Sequence, residues 1–343
     1  WDSDLTDYKA PNAPVGRDLL APMVEAFREH GLRTGFYHSL LDWHHPHYVL
    51  DPYIGPYRNH GDREAMNAGR DQAQYAAYLH GQVRELLTRF GHLDILWFDF
   101  SYAHRGPGGK GRDDWKSEEL YNIVRELQPH VILNDRLDLD DGWDVNTPEQ
   151  YQPHEWVRVK GQPVTWEACQ TFSGSWGYHR DEASWKSVPQ LVRMLADSVS
   201  KGGNLLLNVG PTGRGEFDAR ALDRLAGMGK WMKRHSRSIY GCTQAPEEFT
   251  PPQDCRLTYN PDTNRLYVHL FAWPFKYLHL DGMADRVEYA QLLNDASEVP
   301  AQPIWHGDAP QADQPDRNTL TLNLPVHQPD PALPVIELFL KDR

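Results

Sequence analysis

The chain has 343 residues, enough for a large α/β portion followed by a smaller module, and its formal net charge is −13. The acidic residues are spread along the sequence instead of forming one block, which argues against nucleic acid or an anionic membrane as a partner. Twelve Trp, 16 Tyr and 17 His favour a carbohydrate ligand, because such rings cover the apolar faces of sugars and bind their hydroxyls.

Helices and apolar strands alternate along the first two thirds of the chain. In order, the periodicity predicts a helix over Asp18–His30, a strand over Leu32–Tyr37, a helix over Ala68–Phe90, a strand over Leu93–Phe98, a helix over Ser117–Leu127 and a strand over Val131–Leu133. A strand over Val164–Cys169, a helix over Val188–Lys201, a strand over Asn204–Val209 and a helix over Ala219–His235 follow. This alternation is typical of parallel strands covered by helices, the α/β class.

The polar clusters of this part follow the carboxyl ends of the predicted strands, where (β/α)8 barrels assemble their active sites. We therefore predict a (β/α)8-type barrel over residues 1–243, in preference to a doubly wound open sheet. Only the strands named above are recognised, and a closed barrel of this type has eight. The barrel is accordingly expected to be N-terminally incomplete in this chain, with the remaining strands preceding Trp1.

The pattern changes after the helix over Ala219–His235, with a boundary near Gln244–Pro252, and from Arg256 onwards short alternating strands are separated by Pro, Asp, Asn and Gly. They are predicted over Leu266–Phe271, Val287–Leu293, Thr319–Leu324 and Val335–Leu340. An antiparallel β-sandwich is the expected fold of residues 244–343. The three cysteines form no disulfide framework, and no apolar run approaches the length of a membrane span. The sequence leaves the compartment open and is compatible with a homo-oligomer.

Asp99 is the strongest candidate for a catalytic residue, because it directly follows the apolar strand over Leu93–Phe98. The alternatives for such an acid are a helix cap or a salt bridge. Glycoside hydrolysis needs a second carboxylate. The candidates are Asp135, Asp144, Glu149 and Glu167. Glu167 lies within a predicted strand and Glu149 in a loop, so the residues alone favour Glu167, although structural pairing explains it equally well.

Other polar residues are expected at the same end of the barrel. Arg136 follows its strand as Asp99 does, and a fixed cation there either serves the nucleophile or a sugar hydroxyl, or forms an ordinary salt bridge. Tyr37 and His38 close the first strand and are both expected to line the mouth.

A loop over Leu41–His60 is rich in aromatic residues and histidines. His44, His45 and His47 suggest a zinc site, because imidazole is a frequent metal ligand. Near-adjacent loop histidines rarely converge on one ion, however, and no Cys or Glu completes a known ligand spacing. A sugar subsite explains them as well, so we predict neither a metal nor another cofactor.

Eight short stretches occur in a specific order and spacing over residues 1 to about 215. They are Trp1-Asp2-Ser3, Gly35-Phe36-Tyr37-His38-Ser39, Leu96-Trp97-Phe98-Asp99, Asn134-Asp135-Arg136, Thr147-Pro148-Glu149, Trp166-Glu167, Ser175-Trp176-Gly177-Tyr178 and Gly203-Asn204-Leu205-Leu206-Leu207-Asn208-Val209-Gly210-Pro211. Together they resemble the glycoside hydrolase family 29 α-L-fucosidases. The remainder resembles the C-terminal β-sandwich of that family less strongly.

The resemblance implies a retaining exo-enzyme that removes terminal α-L-fucose from oligosaccharides or glycoconjugates through a covalent fucosyl-enzyme intermediate, without metal or cofactor. It assigns the nucleophile to Asp99 and, by spacing from Arg136, the acid/base to Glu149, with Glu167 in reserve as acid/base and otherwise as a substrate-binding residue. The other substrate-binding residues are expected to be Tyr37, His38, Trp97, Arg136 and Trp176.

The sequence departs from the family pattern at two places. Phe100 stands where many members carry Gly after the nucleophile, which is expected to narrow the leaving-group side. The paired histidines that bind fucose hydroxyls in the family would precede Trp1. A catalytically inactive fucose-binding relative is therefore the main alternative, and a metallohydrolase that uses the histidines from His44 to His47 is the second.

Overall fold

The computed structural model describes residues 1–53, 55, 57–59, 61–302, 318–330 and 332–342. The chain forms two compact units, Trp1–Thr147 and Pro148–Arg343. The boundary predicted near residue 244 lies within the second unit and stays a prediction. His60, at the end of the predicted His-rich loop, and residues 303–317 of the predicted sandwich lie outside the described residues. None of the helices in the described ranges combines the length and the apolar character that crossing a bilayer requires.

The first unit is built on three parallel strands with helices between them. Its elements are α1 (Leu20–Glu29), β1 (Gly35–Ser39), α2 (Arg63–Met66), α3 (Gln72–Arg89), β2 (Ile95–Asp99), α4 (Arg112–Trp115), α5 (Ser117–Leu127) and β3 (Ile132–Leu133), with single 3-10 turns over Ala10–Asn12 and Ala103–Arg105. The sheet order is β1-β2-β3, and both pairings are parallel. The three predicted helices and three predicted strands of this part are confirmed, although β1 begins at Gly35 and not at Leu32.

Side chains of β1 and β2 alternate between the two faces of this sheet. Phe36, Leu96 and Phe98 are buried in one hydrophobic cluster with residues of α3 and α5. The neighbouring positions face the other way, so Tyr37 pairs in register with Trp97, and Ser39 with Asp99. The sheet therefore has one face packed against helices and one face that carries the polar candidates.

The second unit contains a parallel strand pair followed by two antiparallel sheets. Its elements are β4 (Arg158–Val159), β5 (Gln162–Pro163), β6 (Glu167–Thr171), α6 (Val188–Ser200), β7 (Asn204–Asn208), α7 (Ala219–His235), β8 (Thr243–Gln244), β9 (Cys255–Asn260), β10 (Arg265–Leu270), β11 (Tyr277–Leu280), β12 (Val287–Leu292), β13 (Ala301–Gln302), β14 (Leu320–Asn323) and β15 (Val335–Leu340), with a 3-10 turn over Ser236–Ser238. Strands β6 and β7 are parallel, and α6 connects them.

The antiparallel part consists of the sheets β12-β15-β10-β9-β8 and β11-β14-β13. Leu257 and Val268 of the first sheet belong to the same buried cluster as Leu280 and Leu322 of the second. The two sheets therefore share one hydrophobic core. The four strands predicted here are confirmed within one or two residues, whereas the sequence did not single out β9 and β11.

A glycine at the start of β1 permits a close approach of β2. A Cβ added to Gly35 would lie 2.2 Å from Cγ2 and 2.6 Å from the carbonyl oxygen of Ile95. Gly35→Ala is therefore expected to push the strands apart and to lower the free energy of unfolding by about 1–3 kcal/mol, measured by urea denaturation.

Gly229 in α7 is the matched control, because a Cβ there would meet no atom within 4 Å. Gly229→Ala is expected to raise the free energy of unfolding by about 0.5–1 kcal/mol through helix propensity. A Gly35→Ala variant as stable as the parent chain would contradict the close approach of β1 and β2.

Candidate active site

Asp99 is the last residue of β2, and its carboxylate accepts three hydrogen bonds. Tyr37 Oη donates to Oδ2 over 2.7 Å, Arg136 Nη1 donates to Oδ1 over 3.2 Å, and the backbone N–H of Phe100 donates to Oδ1 over 2.8 Å. The Asp99 side chain is 20% exposed. These donors come from three parts of the first unit, and together they fix the orientation of a carboxylate that solvent can still reach.

Phe100 supplies its donor through an unusual backbone conformation. Its φ of 78° lies in the left-handed region, which turns the N–H back onto the Asp99 carboxylate. This conformation costs a non-glycine residue about 1–2 kcal/mol. The ring packs against the core cluster of the unit, which offsets part of that strain. Glycine adopts this conformation without that cost, and the expected narrowing of the leaving-group side by Phe100 stays a prediction.

Trp97 lies between two of the groups that contact Asp99. The Tyr37 and Trp97 rings are stacked, with centroids 5.7 Å apart and 20° between their planes. The guanidinium carbon of Arg136 is 5.1 Å from the centroid of the Trp97 ring, which is a cation–π contact. Tyr37, Trp97, Asp99 and Arg136 are therefore brought together on one face of the sheet.

Arg136 also donates two hydrogen bonds to Thr147. Its Nε donates to Thr147 Oγ1 over 2.7 Å and its Nη2 donates to the Thr147 carbonyl oxygen over 3.0 Å. Thr147 in turn donates to Asp135 Oδ1 from its hydroxyl over 2.6 Å and from its N–H over 3.1 Å. Asn146 Nδ2 donates to the other Asp135 oxygen over 2.5 Å. Burial raises the pKa of Asp135, and the hydrogen bond from Thr147 opposes this effect.

Two of the four candidates for the second catalytic carboxylate, Asp135 and Asp144, make structural hydrogen bonds or ion pairs inside the first unit. Asp135 is bound by Thr147 and Asn146 as described. Asp144 pairs with Arg125 over 2.7 Å and accepts the N–H of Leu133 over 2.8 Å. Their oxygens stabilise the loops that follow β3. Because they are already used in these contacts, neither carboxylate is the preferred proton donor.

Asn134 acts on the strand that carries Asp99. Its Oδ1 accepts the N–H of Phe98 over 2.9 Å and its Nδ2 donates to the Phe98 carbonyl over 2.8 Å. The side chain is fully buried and continues the pairing of β2 beyond the end of β3. The sequence analysis missed this role and that of Thr147. The signal available for both was that they belong to stretches shared with the resembled family.

His38 is not brought together with the residues around Asp99. It follows Tyr37 directly in β1, so its side chain points to the opposite face of the sheet. There its ring lies 6.2 Å from Phe98 and 6.4 Å from Trp1, and burial lowers its pKa. The expectation that Tyr37 and His38 line the same mouth was wrong, because adjacent strand residues face opposite sides.

The other candidates lie in the second unit, where Glu149 is exposed. The segment around Glu149 is paired with β6 and is not an unsupported loop: Glu149 forms a parallel bridge with Cys169. Gln150 N–H donates to the Cys169 carbonyl over 2.9 Å, and Cys169 N–H donates to the Pro148 carbonyl over 2.8 Å. The backbone on both sides of Glu149 is therefore fixed.

Glu167 and Trp176 lie at opposite ends of β6. Glu167 is its first residue and pairs with Asn204, the first residue of β7. Trp176 follows the carboxyl end of the strand, is 44% exposed, and its carbonyl oxygen accepts a 2.6 Å hydrogen bond from Asn208 Nδ2. Active sites of α/β barrels lie at the carboxyl ends of the strands, so this placement favours Trp176 over Glu167 as a substrate contact.

Glu182 organises the loop that carries Trp176. Ser175 Oγ donates to Glu182 Oε2 and Ser184 Oγ donates to Oε1, each over 2.6 Å, and Ser184 N–H donates to Oε1 over 2.7 Å. The hydrogen bond from Ser175, followed by those from Ser184, lowers the pKa of Glu182 from 4.5 to about 2. The loop is therefore held by an anion that stays ionised in mild acid.

Because the folded state lowers this pKa, Glu182 contributes stability that is fully present above pH 4.5 and is lost as the pH falls toward 2. The difference in unfolding free energy between the parent chain and Glu182→Gln is expected to be constant above that window and to shrink within it. Urea denaturation at several pH values measures this, with Glu216→Gln, which alters an exposed glutamate, as the control. A difference that does not change with pH would contradict the assignment.

The histidines of the loop after β1 make aromatic contacts. His44 stacks on Tyr8 with ring centroids 3.9 Å apart, and His45 stacks on Tyr78 at 4.2 Å. Within the part of the chain that the structure describes, no group of three or more His, Cys, Asp or Glu side chains is placed to hold a metal ion. The zinc alternative has no support from this loop, and the expected absence of a cofactor stays a prediction.

Comparisons with known proteins give a consistent result. The family model described as alpha-L-fucosidase matches residues 1–237. The chain is 26% identical over 314 residues to the plasma alpha-L-fucosidase of Rattus norvegicus. The aligned region covers 88% of this chain and 61% of that protein. It thus spans about three fifths of the length of that relative.

Two solved structures show the same fold. The alpha-L-fucosidase isoenzyme 1 from Paenibacillus thiaminolyticus is 40% identical with a TM-score of 0.85, and the match covers 100% of this chain and 80% of that one. The Thermotoga maritima alpha-fucosidase, solved in complex with a mechanism based inhibitor, is 27% identical with a TM-score of 0.71, covering 99% of this chain and 72% of that one.

Proposed function

Because this chain belongs to the alpha-L-fucosidase family of glycoside hydrolases, we propose that it removes terminal α-L-fucose from oligosaccharides or glycoconjugates with retention of configuration. The observation that carries the proposal is the Asp99 carboxylate, which is oriented by Tyr37, Arg136 and Phe100 at the carboxyl end of β2. The substrate is a neutral sugar, in keeping with the aromatic wall of Tyr37 and Trp97.

In the proposed reaction Asp99 attacks the anomeric carbon while Glu149 gives its proton to the leaving oxygen. The bond to the leaving alcohol breaks, and a covalent fucosyl-enzyme ester forms at Asp99. Glu149, now a carboxylate, takes a proton from water, and the resulting hydroxide equivalent displaces Asp99 from the anomeric carbon. Two inversions give net retention, and both carboxyl groups return to their first protonation states.

The roles of the remaining residues follow from their contacts. Arg136 and Tyr37 bind the nucleophile and orient it, and we propose that they and Trp97 also contact the sugar. Trp176 offers an exposed ring for the apolar side of fucose. We place the acid/base on Glu149, because its backbone is fixed by β6 and its side chain is exposed, whereas Glu167 lies at the amino end of that strand.

We propose the family architecture for the fold as well. Parallel pairing in β1-β2-β3 and in β6-β7, with helices between strands, supports a (β/α)8-type barrel. Two antiparallel sheets that share one core support a β-sandwich in residues 244–343. No metal or other cofactor takes part in the proposed reaction.

The direct test is hydrolysis of 4-nitrophenyl α-L-fucoside by the full chain, followed by release of nitrophenol and by proton NMR of the sugar product. The expected first product is α-L-fucose, which mutarotates later. β-L-Fucose as the first product would contradict retention. A folded chain that binds fucose without releasing nitrophenol would be an inactive binding relative, and the proposed activity would be wrong.

A further inference from the structure

The hydrogen bonds that link Arg136, Thr147 and Asp135 allow only one assignment of donors and acceptors. A guanidinium group donates and cannot accept, so Thr147 Oγ1 must accept the 2.7 Å bond from Arg136 Nε. The single proton of that hydroxyl is then directed to Asp135 Oδ1, 2.6 Å away. Asp135 must supply a lone pair there, and it does so as a carboxylate that also accepts the N–H of Thr147 and the amide of Asn146.

Arg136 has anchors besides the Asp99 carboxylate. Its Nε and Nη2 donate to Thr147 over 2.7 Å and 3.0 Å, and its Nη1 donates to Asp99 over 3.2 Å. The two bonds to Thr147 use different nitrogens from the bond to Asp99, and their acceptors are uncharged. Thr147 therefore fixes the orientation of the guanidinium independently of the charge on Asp99.

This arrangement matters because the charge on Asp99 changes during the proposed reaction. The free carboxylate attracts the guanidinium, but the ester formed with the sugar is neutral and attracts it less. The bonds to Thr147 do not weaken when Asp99 loses its charge, so they keep Arg136 in the same orientation when water attacks. The Asp135 carboxylate keeps its charge throughout both steps, since it takes no part in bond making.

We propose that Asp135 and Thr147 are positioning residues: Asp135 orients the hydroxyl of Thr147, and Thr147 keeps Arg136 against Asp99 in both steps of the reaction. The proposal rests on the proposed function for its kinetic consequence, but its geometric part concerns the first unit alone.

The test compares Thr147→Val, which keeps the shape and removes the hydroxyl, with Thr147→Ser, which keeps the hydroxyl. Thr147→Val is expected to lower kcat/KM for 4-nitrophenyl α-L-fucoside about 10- to 100-fold, because a small misplacement of a charged contact has effects of this size. Thr147→Ser is expected to recover most of that loss. Thr88→Val removes a hydroxyl that donates to the backbone carbonyl oxygen of Arg84 on α3, and this control is expected to leave kcat/KM unchanged.

Asp135→Asn distinguishes a chain of contacts from two separate effects. If Asp135 acts through Thr147, the Asp135→Asn substitution lowers kcat/KM in the parent chain and has little further effect in the Thr147→Val variant. Full additivity of the two losses would overturn the proposal. Thermal unfolding of every variant separates a positioning effect from a loss of folded protein.

A readout that does not depend on turnover keeps the proposal separate from the proposed function. In proton–nitrogen NMR of the full chain, the Nε–H of Arg136, assigned with Arg136→Lys, is expected to exchange slowly with water. The exchange is expected to become fast in Thr147→Val and to stay slow in Thr147→Ser. Equal protection in both variants would overturn the proposal, even if the chain proves to be an active fucosidase.

Discussion

Asp99→Ala is expected to lower kcat on 4-nitrophenyl α-L-fucoside by roughly 10⁴-fold or more, the scale on which enzymes respond to loss of their nucleophile. The substitution removes the atom that is proposed to form the covalent bond, and the neighbouring Tyr37 and Arg136, which donate hydrogen bonds to Asp99, supply no carboxylate in its place. The folded structure is expected to persist, because the Asp99 side chain lies at the end of β2 and outside the buried cluster of the first unit.

Sodium azide gives this experiment a specific product. The anion can occupy the space of the lost carboxylate and attack the substrate directly, so the expected product is β-L-fucosyl azide, with inverted configuration. Asp140→Ala is the matched control, since this exposed carboxylate pairs with Arg112 away from the site. A folded Asp99→Ala variant that keeps substantial activity would show that another residue is the nucleophile.

Glu149→Ala is expected to lower kcat/KM about 10²- to 10⁴-fold for substrates with a poor leaving group, the usual contribution of a general acid. The loss is expected to be much smaller for 2,4-dinitrophenyl α-L-fucoside, because that leaving group departs without a proton. Water then attacks the ester slowly, so a rapid release of dinitrophenol is expected to precede a slow steady state.

Azide separates this variant from the first one. In Glu149→Ala the anion attacks the fucosyl-enzyme, and the expected product is α-L-fucosyl azide. Glu167→Ala serves as the matched control. Its kcat/KM is expected to depend on the leaving group in the same way as that of the parent chain. If Glu167→Ala shows the burst and the α-azide, and Glu149→Ala does not, the acid/base is Glu167.

The sequence was sufficient where local patterns decide the structure. Helix α7 is found at its predicted bounds, Ala219–His235, because its apolar periodicity is clear and Asp218 caps its first turn through the N–H groups of Arg220 and Ala221. The start of β1 was misjudged because Leu32 reads as a strand residue but is 55% exposed in the turn after α1. An apolar residue in a turn carries no local signal of its exposure.

The site shows the same division. Asp99, Tyr37 and Arg136 were singled out because they stand near the carboxyl ends of predicted strands, which meet at one edge of a parallel sheet. The structure brings the three side chains into contact. The period of two in a strand would have excluded His38 once Tyr37 was accepted, and this rule was available from the sequence. The contact of Thr147 with Arg136 was not, because it joins residues 11 positions apart across an irregular segment whose course depends on packing.

The backbone donor of Phe100 restricts the Asp99 side chain before any ligand binds. An unrestrained side chain that is immobilised on binding weakens an association by about 0.5–1.5 kcal/mol in lost rotamer entropy. The N–H that binds the Asp99 carboxylate belongs to the next residue in the chain, so this restriction is built into the folded state. If Asp99 is the nucleophile, as proposed, the affinity for the sugar is not reduced by the entropy of ordering this side chain.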